Sequence, residues 1–243
     1  MTNRHLNLFK PLLDDGIDYF HDHKWILPSN GQNGIPCETQ GELVLNENGL
    51  HLCRAEDLIY YLYAAPHIFR VEYEGDIVVC PQRVLASKAW IPAKGELNSW
   101  DEISQRLFAC DCASLVLDNI QEEYRFLCAN LIKASIAYAI ASSLDMAANE
   151  NYFEQHLIQA REKVESIPKH EENVLSWQAV RAALITAAME GSPARPNKFG
   201  FIAYSVVQSD TQRAESEEES HVIETDICNK MTNILCNYLN IQR

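Results

Sequence analysis

The sequence predicts an α+β protein, with a small, mainly antiparallel sheet domain over residues 1–98 followed by an all-α helical bundle over 99–243. Two patterns predict it. Turn chemistry crowds the first hundred residues, with NGQNG at Asn30 to Gly34, NENG at Asn46 to Gly49 and prolines at positions 28, 36, 66, 81 and 92. Beyond Trp100 the apolar residues recur at helical spacing. The chain, 243 residues at 47% hydrophobic and 22% charged, is long enough to bury one large core or two small ones.

The opening segment, Leu6 to His21, reads as a short helix or irregular arm leading to Trp25. Alternation around Leu43, Val44 and Leu45 predicts a strand, and Ala55 to Tyr63 has helical spacing. His67 to Val79 alternates apolar and polar residues and breaks at Gly75, which predicts two strands about a tight turn. A further strand is expected over Val84 to Ile91.

Ser99 precedes Glu102 by three residues as in a capping box, and Ile103, Leu107, Cys110, Ser114 and Leu117 follow at helical spacing. A helix is therefore expected from Trp100 to about Ile120. Glu122 to Ala148, Asn151 to Ser166 and Val174 to Glu190 read as three more, and Phe199 to Arg213 and His221 to Ile241 as the last two. AESEEES, Ala214 to Ser220, reads as an exposed acidic linker between them. The longest apolar stretch, Leu127 to Ala148, carries Asn130, Lys133 and Asp145, which predicts a buried bundle helix and no membrane span.

A net charge of -14 repels phosphate backbones and anionic membranes, so neither nucleic acid nor a membrane is an expected partner. The helical part carries 21 acidic and 12 basic residues against 13 and 8 in the first hundred, making it the more acidic of the two. The N-terminus lacks a continuous apolar core after a basic start, which predicts a cytoplasmic protein, or one exported as an effector without a signal peptide. In that setting the eight cysteines are expected to be free thiols, several of them in apolar periodic segments.

His51 and Cys53 stand two apart, so an extended strand puts both on one face, where they could hold a metal or pair thiol with imidazole. A zinc site needs two more ligands and an activated thiol needs an orienting group, and the sequence supplies neither. The plainer alternative has His51 bonding the backbone and Cys53 filling core. Cys110 and Cys112 fall about 200 degrees apart on a helix and cannot share one ion. Glu72 and Glu74 flank Tyr73 on a predicted strand, an arrangement suited to acid and base chemistry or to the ribose of NAD, although a solvent-facing strand explains it equally well. His21 and His23 read as surface residues. No Gly-rich phosphate loop, GxSxG elbow, HExxH helix or Cys-x-x-Cys pair occurs.

VEYEGD at Val71 to Asp76 looks like the ExE pair of one class of mono-ADP-ribosyltransferases, but their companion Arg and Ser-Thr-Ser strand are missing. More of the chain resembles a two-part family scattered through bacterial and phage proteins. Trp25, Gly31, Gly34, Gly49, His51, Cys53, Asp57, Leu58 and Tyr61 match its N-terminal domain of unknown function. Trp100, Leu107, Phe108, Ala109, Asp111, Cys112 and Ala113 match the entry signature of a helical domain labelled an immunity protein.

The expected function is recognition, with the helical half binding a protein partner and the α+β half binding a ligand or partner near His51, with Trp25, Asp57 and Tyr61 as further contacts. The resemblance implies an immunity-type partner of a toxin or phage component. The competing expectation is an NAD-dependent transferase with Glu72 and Glu74 as catalytic residues beside His51 and Tyr61. No metal or cofactor is expected outside that alternative.

Overall fold

The computed structural model describes residues 6–18, 23–62, 67–144, 147–168, 174–187 and 201–242. An antiparallel sheet fills the first half and helices fill the second, the α+β arrangement read from the sequence. By its internal contacts the chain divides into one unit of Met1–Trp100 with Leu239–Arg243 and a second of Asp101–Tyr238. The boundary falls where the turn signals give way to helical spacing. The assignment of the last five residues to the first unit has no mark in the sequence.

Five strands, β1 (Leu8–Leu12), β2 (Cys37–Glu38), β3 (Leu50–Leu52), β4 (His67–Cys80) and β5 (Arg83–Trp90), run in the order β1-β4-β5-β2, with β3 also paired to β5. β1 replaces the expected helix or arm. All five of its residues are buried, because it pairs with β4 on one edge while Phe9 bridges Cys53 on the other. Strands β1, β4, β5 and β3 thereby close into a ring. Inside pack Leu8, Leu12, Trp25, Leu52, Phe69 and Val84, each such apolar side chain contributing roughly 1.5–3 kcal/mol of burial.

The strand expected at Leu43 to Leu45 is instead a tight loop. Val44 bridges Asn48, Asn46 sits at φ 65°, and the Asn48 side-chain amide donates to the carbonyls of Gln40 and Glu42. Strand structure starts only at Leu50. The following segment is a short 3-10 turn, Ala55–Tyr60, and Tyr63 lies outside the described residues.

β4 is one strand of 14 residues, not two about a turn. Gly75, at φ 78°, opens a bulge in which Gly75 and Asp76 face Ser87, whose Oγ accepts from the Asp76 amide at 2.9 Å. A Cβ on Gly75 would lie 2.5 Å from that same oxygen. The true hairpin turn is Pro81–Gln82, set by the Cys80–Arg83 pair. Gly34 answers a different demand, since a Cβ there would stand 2.1 Å from the Ile26 carbonyl oxygen.

The second unit holds α1 (Glu102–Ser114), α2 (Glu122–Ser143), α3 (Ala147–Glu165), α4 (Val174–Thr186), α5 (Phe201–Thr211) and α6 (Glu217–Leu239), the last running on past the unit's boundary. Asp101, and not Ser99, caps α1, its Oδ1 accepting from the Ser104 amide at 2.7 Å. A 3-10 turn, Leu117–Asn119, follows α1 where the sequence suggested a continuing helix. The ends expected at Ala148 and Glu190 recede to Ser143 and Thr186, residues 188–190 lying outside the described part.

The acidic linker is corrected as well. Glu217 already begins α6, with Ser216 Oγ accepting from the Glu219 amide and the Glu219 carboxylate accepting from the Glu215 amide. Three glutamates in the first turn complement the helix dipole, so the acidic run starts a helix that the composition had suggested it would interrupt.

By length and composition α2 could cross a membrane, with a mean hydropathy of 1.4 over its most apolar window. Within the unit, however, Cys128, Leu131, Ile132, Ser135 and Ala139 are buried, and Ser135 Oγ donates to the Thr186 carbonyl of α4. Asn119 fixes α5 by donating to Ser209 Oγ and Asp210 Oδ1, both at 3.0 Å.

Candidate functional site

His51 sits in β3 between the buried Leu50 and Leu52, and its ring is half-exposed. Arg83 begins β5 just after the hairpin turn, which brings its Nη1 within 3.2 Å of His51 Nδ1 and 3.3 Å of Asn46 Oδ1. A guanidinium only donates, so His51 Nδ1 is the acceptor. The Arg83 guanidinium also lies 5.9 Å from the Tyr61 ring centre. Burial is the largest influence raising the Tyr61 hydroxyl above its ordinary pKa. His51 and Tyr61, both expected from the sequence, are thus linked through Arg83. Arg83 and Asn46 were missed, because their proximity follows from the β3–β5 register and leaves no sequence signal.

Beneath this cluster lies a buried ion pair that the sequence did not suggest. Lys10 Nζ is 2.5 Å from Asp18 Oδ2 and donates to the His51 carbonyl at 3.0 Å. It stands 5.8 Å from the Trp25 ring centre. Trp25 is therefore a wall around a buried cation and only 2% exposed. Asp57 is also committed internally. It accepts from Arg54 Nε at 2.6 Å and Nη2 at 2.9 Å, and from the Arg54 amide, holding the 3-10 turn.

Cys53 is buried, and its thiol is pushed up to about 12, chiefly by burial, which keeps it protonated and unreactive at neutral pH. His23, read as a surface residue, brings Nε2 to 3.3 Å from Cys37 Sγ, but burial raises that thiol too, so the pair does not favour a thiolate. His21 lies outside the described residues. Among the described residues no group of three or more His, Cys, Asp or Glu side chains is placed to hold a metal ion.

Glu72 and Glu74 are exposed on β4, opposite Trp90 and Lys88. Lys88 Nζ bridges Glu74 at 3.1 Å and Glu38 at 3.0 Å, and these hydrogen bonds raise its pKa. The two glutamates line a groove of about 490 Å³ with Leu6, Arg70, Tyr73 and Trp90. His51 and Tyr61 are not among its lining residues. His51 pairs with Leu85 and Glu74 with Lys88, three residues apart along β5 and on either side of the bulge opposite Ser87. The cleft expected from His51, Tyr61, Glu72 and Glu74 together is not assembled.

The helical unit carries a feature that the candidate residues did not include. On α2, Phe126, Lys133, Ile140 and Leu144 follow one outward stripe, and Phe126 and Leu144 are 70% and 63% exposed. As α2 ascends from Phe126 to Lys133, α3 descends from Lys163 to His156, and between them lies a groove of about 340 Å³. Tyr152, 69% exposed, extends it by stacking parallel to His156 at 6.4 Å. The seven-residue spacing of Phe126, Lys133 and Ile140 was the available signal. It was masked because most of this helix is apolar on every side.

Compared with protein-family models, curated proteins and solved structures, the chain matches none.

Proposed function

We propose that the chain is a two-unit recognition protein whose helical unit binds a protein partner on the α2–α3 face, while the α+β unit takes a ligand or partner beside His51 and Arg83. The observation that carries the reading is the exposure of Phe126, Leu144 and Tyr152 on adjoining helices. Single exposed apolar residues are common, whereas an exposed aromatic lining a groove, with a second stacked on another lining residue, favours association. Residues elsewhere meet internal demands, with Asp57 on Arg54, Cys53 on Phe9 and Trp25 in the core.

The transferase alternative draws support from the groove beside Glu72 and Glu74. Its lining fits a dinucleotide poorly, because Arg70 is the one cation and stands with two carboxylates that repel a diphosphate. The recognition reading is tested by capture from the native cell with the full chain and with Phe126→Glu/Tyr152→Glu. A partner retained by the first and lost by the second supports it. Retention by both places binding elsewhere.

A further inference from the structure

Resting on that reading, we infer that the α2–α3 groove takes an acidic, amphipathic helical segment of the partner, with carboxylates meeting Lys133, Lys163 and His156 and apolar side chains packing on Phe126 and Tyr152. Charge complementarity argues for this occupant. The chain carries a net -14, yet this groove is lined by Lys133, Lys163 and His156 with no acidic side chain among its lining residues. Elsewhere on the unit surface, Arg161 pairs with Glu165 and Lys230 with Asp226. Lys133 and Lys163 make no ion pair among the described residues.

The geometry suits a helix. Phe126 and Lys133 stand seven residues apart along the α2 wall of the groove, the repeat with which a docked helix presents its own anchors. Asn130 and Gln159 supply hydrogen-bonding groups between the ends.

The opposed local and global charges also select among anions. Within about 10 Å, roughly the screening length at 0.1 M salt, a short segment feels mainly the groove's own cations. A polyanion or an anionic bilayer extends past that range and meets the negative surface around it. A short acidic segment is therefore accepted and nucleic acid or membrane rejected. A second copy would bring its whole -14 with it.

The test uses the full chain and a fluorescein-labelled helical peptide of about 18 residues, with Leu at i, i+3 and i+7 spacing and Glu flanking the apolar stripe. Twin peptides carry Gln or Lys in place of every Glu. The acidic peptide is expected to bind about tenfold tighter than the Gln twin, the size of two or three partly exposed charge pairs. Lys133→Glu/Lys163→Glu is expected to remove that advantage and to bind the Lys twin instead. Both positions are exposed, so circular dichroism should be unchanged.

The inference is overturned by equal binding of the Glu and Gln twins, by affinity indifferent to Lys133 and Lys163, or by no saturable binding of the acidic peptide. Lysine-dependent binding of a single-stranded oligonucleotide or of phosphatidylserine vesicles overturns it in favour of a general anion surface. Self-association in sedimentation that Lys133→Glu/Lys163→Glu abolishes overturns it in favour of a second copy. A partner still captured through Phe126 and Tyr152 despite any of these results leaves the recognition reading standing and removes only the acidic chemistry.

Discussion

Phe9 and Cys53 exchange both of their backbone hydrogen bonds, each at 2.8 Å, and this single pair joins β1 to the end of β3. It turns an open sheet with an exposed edge into a ring, and it gives Cys53 a structural role. The amides of Phe9 and Cys53 should exchange with solvent only on opening of the whole unit. Hydrogen exchange followed by NMR is expected to show them at least about a thousandfold slower than the Glu47 amide of the neighbouring loop. Comparable rates would mean that the ring opens locally.

Lys10 and Asp18 are buried together, and removing one partner strands the other charge. Asp18→Ala or Lys10→Ala should each cost about 3–5 kcal/mol in urea unfolding. Lys10→Met/Asp18→Leu should recover most of that loss, because no isolated charge remains. A double variant as weak as the singles would show that the pair itself supplies net stability.

All eight cysteines are free, so a reductant should leave the melting temperature unchanged. Cys53, Cys110, Cys112, Cys128, Cys228 and Cys236 are buried, whereas Cys37 and Cys80 are half-exposed. Iodoacetamide at neutral pH should add two groups to the native chain and eight after denaturation, read by mass spectrometry. Burial pushes the Cys53 and Cys128 thiols up to about 12 and Cys110 to about 11, from an ordinary value of 9.0. Above pH 9 the unfolded chain loses these protons first, so it binds fewer than the folded one, and stability must fall as pH rises. The thiol contribution should be complete below about pH 9 and lost progressively towards pH 12, measured as the unfolding difference between the protein and Cys128→Ala.

Glu74 is exposed and held by Lys88. Glu74→Gln should leave the urea midpoint unchanged within error. Incubation with labelled NAD should modify neither the protein nor an added acceptor. Labelling that Glu74→Gln abolishes would restore the transferase reading.

Gly75 shows where local sequence signals misled. A glycine breaking an alternating run fits a turn and a bulge equally well, and only the pairing with β5 distinguishes them. Leu8–Leu12 failed for the opposite reason, since a strand buried on both faces has no alternation to read. Of the candidate site, His51 and Tyr61 were legible as a polar residue and an aromatic around a strand-to-helix junction. Arg83 was not, because it approaches from 32 residues away. Trp25 and Asp57 were legible as important residues, but their burial assigns them to packing and to Arg54.

Composition and periodicity determined the α+β division, because it depends on residues near one another in the chain. Tertiary structure decided the closed ring through Cys53 and Phe9, the buried pair of Lys10 and Asp18, and the separation of His51 from Glu72 and Glu74. It also decided that Lys133, Lys163 and His156 share one groove. These depend on strand register and helix pairing, in which the energy comes from contacts between distant segments and a one-residue slip exchanges buried for exposed faces.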